Sequence, residues 1–297
     1  MPPASGAPET VLITGGSSGI GRATALELAG RGARLVLVAR GREALEAAAT
    51  EVRAAGAAEV LVEPADVTDE DAFRAVVDAA VGRFGRIDSV VHAAQVMAYG
   101  TIEELPREVF EAVVDTAVHG TAVVARVVLP VFRKQEAGHL LVVNSLLGSV
   151  ATPLMGSYVV AKWGQLGLVR VLQQEVRDVP GIKVSAVQPG GVDTPIYYQA
   201  ASWIGSTGRP PPPVYRPQRV ARTVLATLDR PRRVVQAGFL NPLIKAGFTL
   251  FPGIYDVLVG PLLQRMAIAN DDVPPTEGNV FRSRPEANAT RGHWHGI

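Results

Sequence analysis

Between Glu9 and about Gln236, runs rich in valine, leucine and isoleucine recur: VLIT (11–14), RLVLVA (34–39), EVLVE (59–63), SVVH (89–92), HLLVVN (139–144), KVSAV (183–187) and RVVQ (233–236). They do not alternate apolar with polar, as expected of strands buried on both faces. Alanine-rich stretches over 19–31, 41–55, 69–84, 106–135 and 156–178 separate them and read as helices. Strand and helix in repetition predict an α/β fold of the Rossmann type. It would be one doubly wound parallel sheet of about seven strands, because crossover helices pack on both faces of such a sheet.

After Pro189 the pattern loosens. TPIYYQAASWIGSTGRPPPPVY (194–215) is too long for a tight connection and predicts a lid or binding loop, with Tyr197, Tyr198, Trp203 and Ile204 as its large side chains. Residues 238–270 read as an apolar helical extension. Pro242, Pro252, Pro261, Lys245 and Asp256 interrupt it too often for a membrane span. It would cover the site, form a dimer surface or lie on a membrane interface. Residues 271–297 are polar and read as a mobile tail. The expected division is a dinucleotide-binding and catalytic domain over 1–237, the extension over 238–270 and the tail over 271–297.

Composition narrows the function. Lys+Arg is 29 against Asp+Glu 28, a net charge of +1, which excludes the basic surplus of a nucleic-acid binder. There is no cysteine, and the five histidines show no zinc-type pairing in the body of the chain, so no metal site is predicted. The start, MPPASGAPET, lacks the basic and apolar regions of a signal peptide, so the expected compartment is cytoplasmic.

VLIT runs into Gly15-Gly16-Ser17-Ser18-Gly19-Ile20-Gly21, and a helical stretch follows. Glycines let the backbone turn sharply and approach a pyrophosphate, and the helix N-terminus offers free N–H groups to the anion. The spacing is GxxxGxG, and a tight strand-to-helix turn alone would also use it. The second strand ends Val38-Ala39-Arg40, where dinucleotide folds often place an acid for the ribose 2′-OH. Arginine suits a 2′-phosphate instead, which favours NADP(H) over NAD(H). Asp66-Val67, past the third strand, would lie over the adenine or else simply precede a helix.

Tyr158 and Lys162 stand four apart at the start of a helix and share a face. Lysine occurs only at 134, 162, 183 and 245, so the pairing is hard to attribute to chance. An ammonium ~4 Å from a phenol is worth ~4 kcal/mol at an effective dielectric near 20, roughly 3 pKa units, enough to bring Tyr158 toward neutral pH as a general acid or base. Ser145 follows a buried strand at the carboxyl edge of the sheet, where open α/β sheets bind ligands, and its hydroxyl would hydrogen-bond the reacting oxygen.

With TGGSSGIG (14–21), DVTD (66–69), Ser145 with Gly148, YVVAK (158–162) and PGGVDT (189–194) in this order, the chain resembles the short-chain dehydrogenase/reductase family over about residues 9–236. The resemblance implies that Tyr158 is the acid/base, that Lys162 lowers its pKa and binds the nicotinamide ribose, and that Ser145 positions the substrate oxygen. It implies that Pro189, Gly190, Val192 and Thr194 line the nicotinamide end, and that homo-dimers or tetramers pack through the helices of 106–135 and 156–178. Two departures stand out. His92-Ala93-Ala94-Gln95 replaces the family's Asn-Asn-Ala-Gly, with Ala93 beside the cofactor, and Ala117 replaces an asparagine thought to hold a relay water. His119 or water would substitute.

The expectation is thus an oxidoreductase moving a hydride between NADP(H) and a hydrophobic carbonyl or secondary alcohol. The departures motivate a second reading, a cofactor-binding sensor or scaffold with weakened catalysis. A reductase working at a membrane surface differs from the first only in location.

Overall fold

The computed structural model of the chain describes residues 8–294. Residues 1–7, which hold most of the start read above, and the last three residues of the expected tail lie outside the described residues.

Seven parallel strands form the central sheet: β1 (Thr10–Thr14), β2 (Arg34–Ala39), β3 (Glu59–Pro64), β4 (Ser89–His92), β5 (Gly138–Val143), β6 (Ile182–Pro189) and β7 (Val234–Ala237). Their order is β3-β2-β1-β4-β5-β6-β7. The register explains the missing polar alternation. Leu12 pairs with Val36 and Val90 and faces one layer, while Val11 and Ile13 pair with Leu35, Leu37, Ser89 and Val91. The first face packs with Val36, Val38, Leu140 and Val142 against Phe73, Val124 and Val169, and the second packs against Leu28, Leu45 and Val224. Both faces are therefore core, and the middle strands are predominantly apolar, with Thr14, Ser89, His92 and Ser185 as buried polar exceptions.

The first layer holds α3 (Glu70–Phe84), α5 (Gly120–Gln135) and α6 (Gly156–Glu175), and the second holds α1 (Gly19–Ala29), α2 (Arg42–Ala54) and α8 (Pro217–Asp229). Asp69 caps α3, its Oδ1 accepting from Ala72 N at 3.0 Å, and Gly85 ends it in the left-handed region at φ 79. The stretch expected as one helix over 106–135 is α4 (Arg107–Val114), a π-helical turn at Asp115–His119, and α5. By length and composition Arg107–Gln135 is apolar enough to cross a bilayer, but half of its most apolar window is buried within the protein. The helix α8 has no counterpart among the expected elements. It begins at Pro217, which suits a first helical position because the missing N–H has no partner there anyway.

Beyond the sheet edge lie the one-turn helix α7 (Ile196–Gln199), a short parallel ladder pairing 98–99 with 201–202, and a helical hairpin, α9 (Asn241–Leu250) and α10 (Pro252–Ala267). Of the segment expected as a mobile tail, 271–297, the structure describes residues 271–294. They run back over the sheet edge, pairing Ser202 with Thr276 in both directions at 2.8 and 3.0 Å.

Candidate active site

The turn after β1 is built for close approach. Gly15 and Gly19 have φ 68 and 53, where side chains are strained. A Cβ on Gly21 would lie 2.2 Å from Gly15 O, and one on Gly15 would lie 2.9 Å from the Ala93 backbone. Three stretches of bare backbone thus form a cradle at the N-terminus of α1 that only glycine permits, the geometry a pyrophosphate needs. One cavity of about 770 Å³ runs from this cradle along the carboxyl edge of the sheet. Gly15, Ser17, Ser18, Gly19, Ile20 and Gly21 line it at one end, Ser145, Tyr158 and Lys162 lie farther along, and Ala93, Pro189, Gly190, Val192 and Thr194 flank them. Ser145, Tyr158, Lys162 and the residues singled out from the sequence for cofactor contact therefore share one cavity.

Ser145 ends the β5 edge and caps a turn of 3-10 helix, its Oγ accepting from Leu147 N at 3.1 Å. The first turn of α6 carries Tyr158, and one turn later comes Lys162, which is 1% exposed. The Lys162 ammonium donates to Val143 O at 3.2 Å and Gln165 Oε1 at 3.0 Å, and stands 5.6 Å from the Tyr158 ring centre. Burial pushes Tyr158 up to about 12, opposed by its hydrogen bond with Ser145, and pulls Lys162 down to about 7. The expected fall of Tyr158 toward neutral pH does not occur in this arrangement. The ammonium lies over the ring and its bonds go to Val143 and Gln165, so desolvation of the phenol dominates. What results is a protonated phenol beside a hydroxyl, a proton donor aimed at the cavity.

The departures from the family pattern have structural explanations. His92 is buried at the end of β4, its Nδ1 2.8 Å from Thr14 Oγ1, and burial with the nearby Lys162 charge lowers it to about 3. Gln95 lines the cavity and donates to Val96 O at 2.7 Å. His119 is exposed on the π-turn and does not line the cavity, so it takes no part in a relay here. Sequence reasoning missed Asn144, Gln165 and Gln188, buried amides linked behind the site. Asn144 donates to Gln165 Oε1, and Gln188 to Asn144 Oδ1 and Ser145 O. Their one signal in the sequence is that they are amides inside or beside otherwise apolar stretches.

At the far end Asp66 accepts from Thr68 N and Oγ1 at 2.9 and 2.8 Å in a local turn and lines the cavity with Val67. Arg40 also lines it, but its guanidinium donates to Val280 O at 2.7 Å and to Asn279 O. The returning C-terminal segment forms a strap here. Its Ala289 O accepts from Gly19 N at 2.9 Å and Ser18 Oγ at 3.1 Å, and Asp193 anchors Gly292 and Trp294. Asn279, Ser283, Arg284 and Asn288 wall the cavity, so the strap encloses the groove.

The other end is apolar. Met97, Val150, Tyr197 and the hairpin residues Ile244, Ile254 and Leu258 line it. Of the loop side chains expected to form a lid, Tyr197 faces the cavity, Tyr198 stacks on His293, and Trp203 and Ile204 pack into the cluster under the loop. The hairpin also leaves Leu243, Leu250, Phe251, Ile254 and Val257 exposed.

Fold and site together define a dinucleotide-type oxidoreductase. The model of the short chain dehydrogenase family matches residues 9–205, and the chain belongs to that family. It is 32% identical to a sepiapterin reductase of Chlorobaculum tepidum over 78% of this chain and 95% of the relative. Among solved structures it resembles an alcohol dehydrogenase of Thermococcus sibiricus complexed with 5-hydroxy-NADP. That match has a TM-score of 0.66 and 30% identity, over 77% of this chain and 95% of the other. It also resembles a short chain dehydrogenase/reductase of Burkholderia phymatum in complex with NAD, with a TM-score of 0.73 and 26% identity over 86% and 96%. The protein is an oxidoreductase of this family, whose members bind NAD or NADP.

Proposed function

We propose that the protein reduces a hydrophobic carbonyl compound, or oxidises the matching secondary alcohol, with NADP(H), using Ser145, Tyr158 and Lys162. The observation that carries this is the placement of the three side chains midway between a glycine cradle and an apolar chamber in one cavity. The cofactor, when bound, supplies or accepts the hydride at the carbonyl carbon. Ser145 donates a hydrogen bond to the carbonyl oxygen. Tyr158, kept protonated by burial, gives its proton to that oxygen, and the Lys162 ammonium over the ring stabilises the phenolate left behind. Closure by the loop and hairpin excludes water from the step.

Arg40 at the end of β2, with Ala39 before it, supports NADP(H) over NAD(H), since two of its five N–H donors go to the strap and others remain for a 2′-phosphate. Exposed Val160 and Val171 on α6 support assembly of homo-dimers or tetramers through that helix. A panel of ketones and alcohols assayed with both cofactors tests the reading. Turnover of apolar ketones with NADPH is the expected result. A strong preference for NADH would remove Arg40 from its role, and no turnover with either cofactor would leave a binding protein.

A further inference from the structure

Behind Lys162 the polar groups form a closed set. Gln165 follows Lys162 by three residues on α6, which puts both side chains on one helix face, and it is 0% exposed. Its Oε1 accepts from Lys162 Nζ at 3.0 Å and Asn144 Nδ2 at 3.0 Å. Its Nε2 donates to Thr121 Oγ1 at 3.0 Å and Ala117 O at 3.3 Å. A carboxamide has two donor hydrogens and two acceptor lone pairs, so each is used, and the network fixes which end is oxygen. The far anchors lie at the π-turn and the start of α5, where Thr121 Oγ1 also donates to Ala117 O. Alanine at 117 contributes a carbonyl and a methyl, so the polar side chain reaching the ammonium from this quarter comes from α6.

We propose that Gln165 is the positioning residue for Lys162, clamping the ammonium against the Tyr158 ring from an anchor on Thr121 and the Ala117 carbonyl. This rests on the reading of Lys162 as the cation that serves Tyr158. The physical need is plain. A buried ammonium requires acceptors, and burial alone drives this lysine toward its neutral form. Only Val143 O and Gln165 Oε1 accept from it among the described residues. The other titratable groups beside it are the Tyr158 phenol on its own helix and His92 at the end of β4, which burial keeps neutral down to about 3. Neither offers a compensating negative charge. Without the carboxamide oxygen the lysine would hold one carbonyl bond, discharge more readily and leave its place over the ring.

The test is Gln165→Met, which keeps chain length and removes the carboxamide. With four lysines in the chain, NMR of carbon-labelled lysine on the cofactor-free protein resolves the one titrating near 7 from the others. In Gln165→Met that lysine titrates lower still. Carbonyl-reducing kcat falls on the order of tenfold or more, inside the roughly 10²–10⁴ that acid–base catalysis supplies, while substrate KM holds. The alkaline limb of the rate profile moves to lower pH, because the ammonium that stabilises the phenolate is discharged earlier as pH rises. An unmoved lysine titration and rate profile in Gln165→Met, beside an inactive Tyr158→Phe, would overturn the proposal. A fully active Tyr158→Phe would sink the catalytic reading instead, and the lysine titration would still decide the role of Gln165. Should Gln165→Met fail to fold, Gln165→Asn, one methylene too short to reach the ammonium, must move the titration the same way.

Discussion

Tyr158 loses one oxygen in Tyr158→Phe, and the ring and its packing stay. Rate is expected to fall roughly 10²–10⁴-fold with cofactor affinity retained, measured by steady-state kinetics and nucleotide fluorescence. Buried imidazoles set a second residue-scale expectation. His92 and His139 have folded values of about 3 and about 4 and an ordinary value of 6.5, burial being the first cause for both. Between these limits the unfolded chain binds more protons, so stability rises with pH there and is lost as pH falls from 6.5. The slope approaches about 1.4 kcal/mol per pH unit for each imidazole. Urea unfolding across pH 4–6.5 measures it, and His92→Asn is expected to remove about half of the slope. A slope unchanged in that variant would assign the effect to other groups.

At the scale of elements, the sheet was legible because its strands lie between two helix layers, so the Val/Leu/Ile-rich runs carry no regular polar alternation. Glycine loop and Tyr-Lys pair were legible because a cradle and a helix face impose local spacing. Gln165 was not, since its worth depends on Thr121 and Ala117, 44 and 48 residues away. The π-turn leaves no mark in the apolar period, and the strap's polar composition hid backbone bonds that any sequence could make. Gly15→Ala, at φ 68 and 2.9 Å from the Ala93 backbone, is expected to cost about 1–3 kcal/mol in denaturant unfolding and to weaken nucleotide binding. The hairpin predicts a different pattern. Ile254→Ser and Leu258→Ser alter exposed positions, 63% and 53% accessible, so stability should shift by no more than about 0.5 kcal/mol. Both line the cavity, and kcat/KM for long apolar ketones should drop about tenfold or more, with small ketones unaffected. Equal losses for both substrate sizes would remove the hairpin from the substrate chamber.

Across the whole molecule, the C-terminal strap joins the last described residues to the first functional loop. Trypsin cleavage after exposed Arg282 reports on it, and saturating NADPH is expected to slow that cleavage because the strap walls the occupied groove. An unchanged rate would mean that strap and nucleotide do not communicate. The same contact has a consequence in time. Ser18 and Ala289 are 271 residues apart in the chain. At roughly 5–20 residues per second, the glycine loop is made on the order of 10–50 s before the carbonyl that closes over it. A nascent chain thus passes through a stage in which the sheet and cradle exist and the groove has no outer wall. A nucleotide bound to that cradle would be held by the strap only after the segment carrying Ala289 has been made.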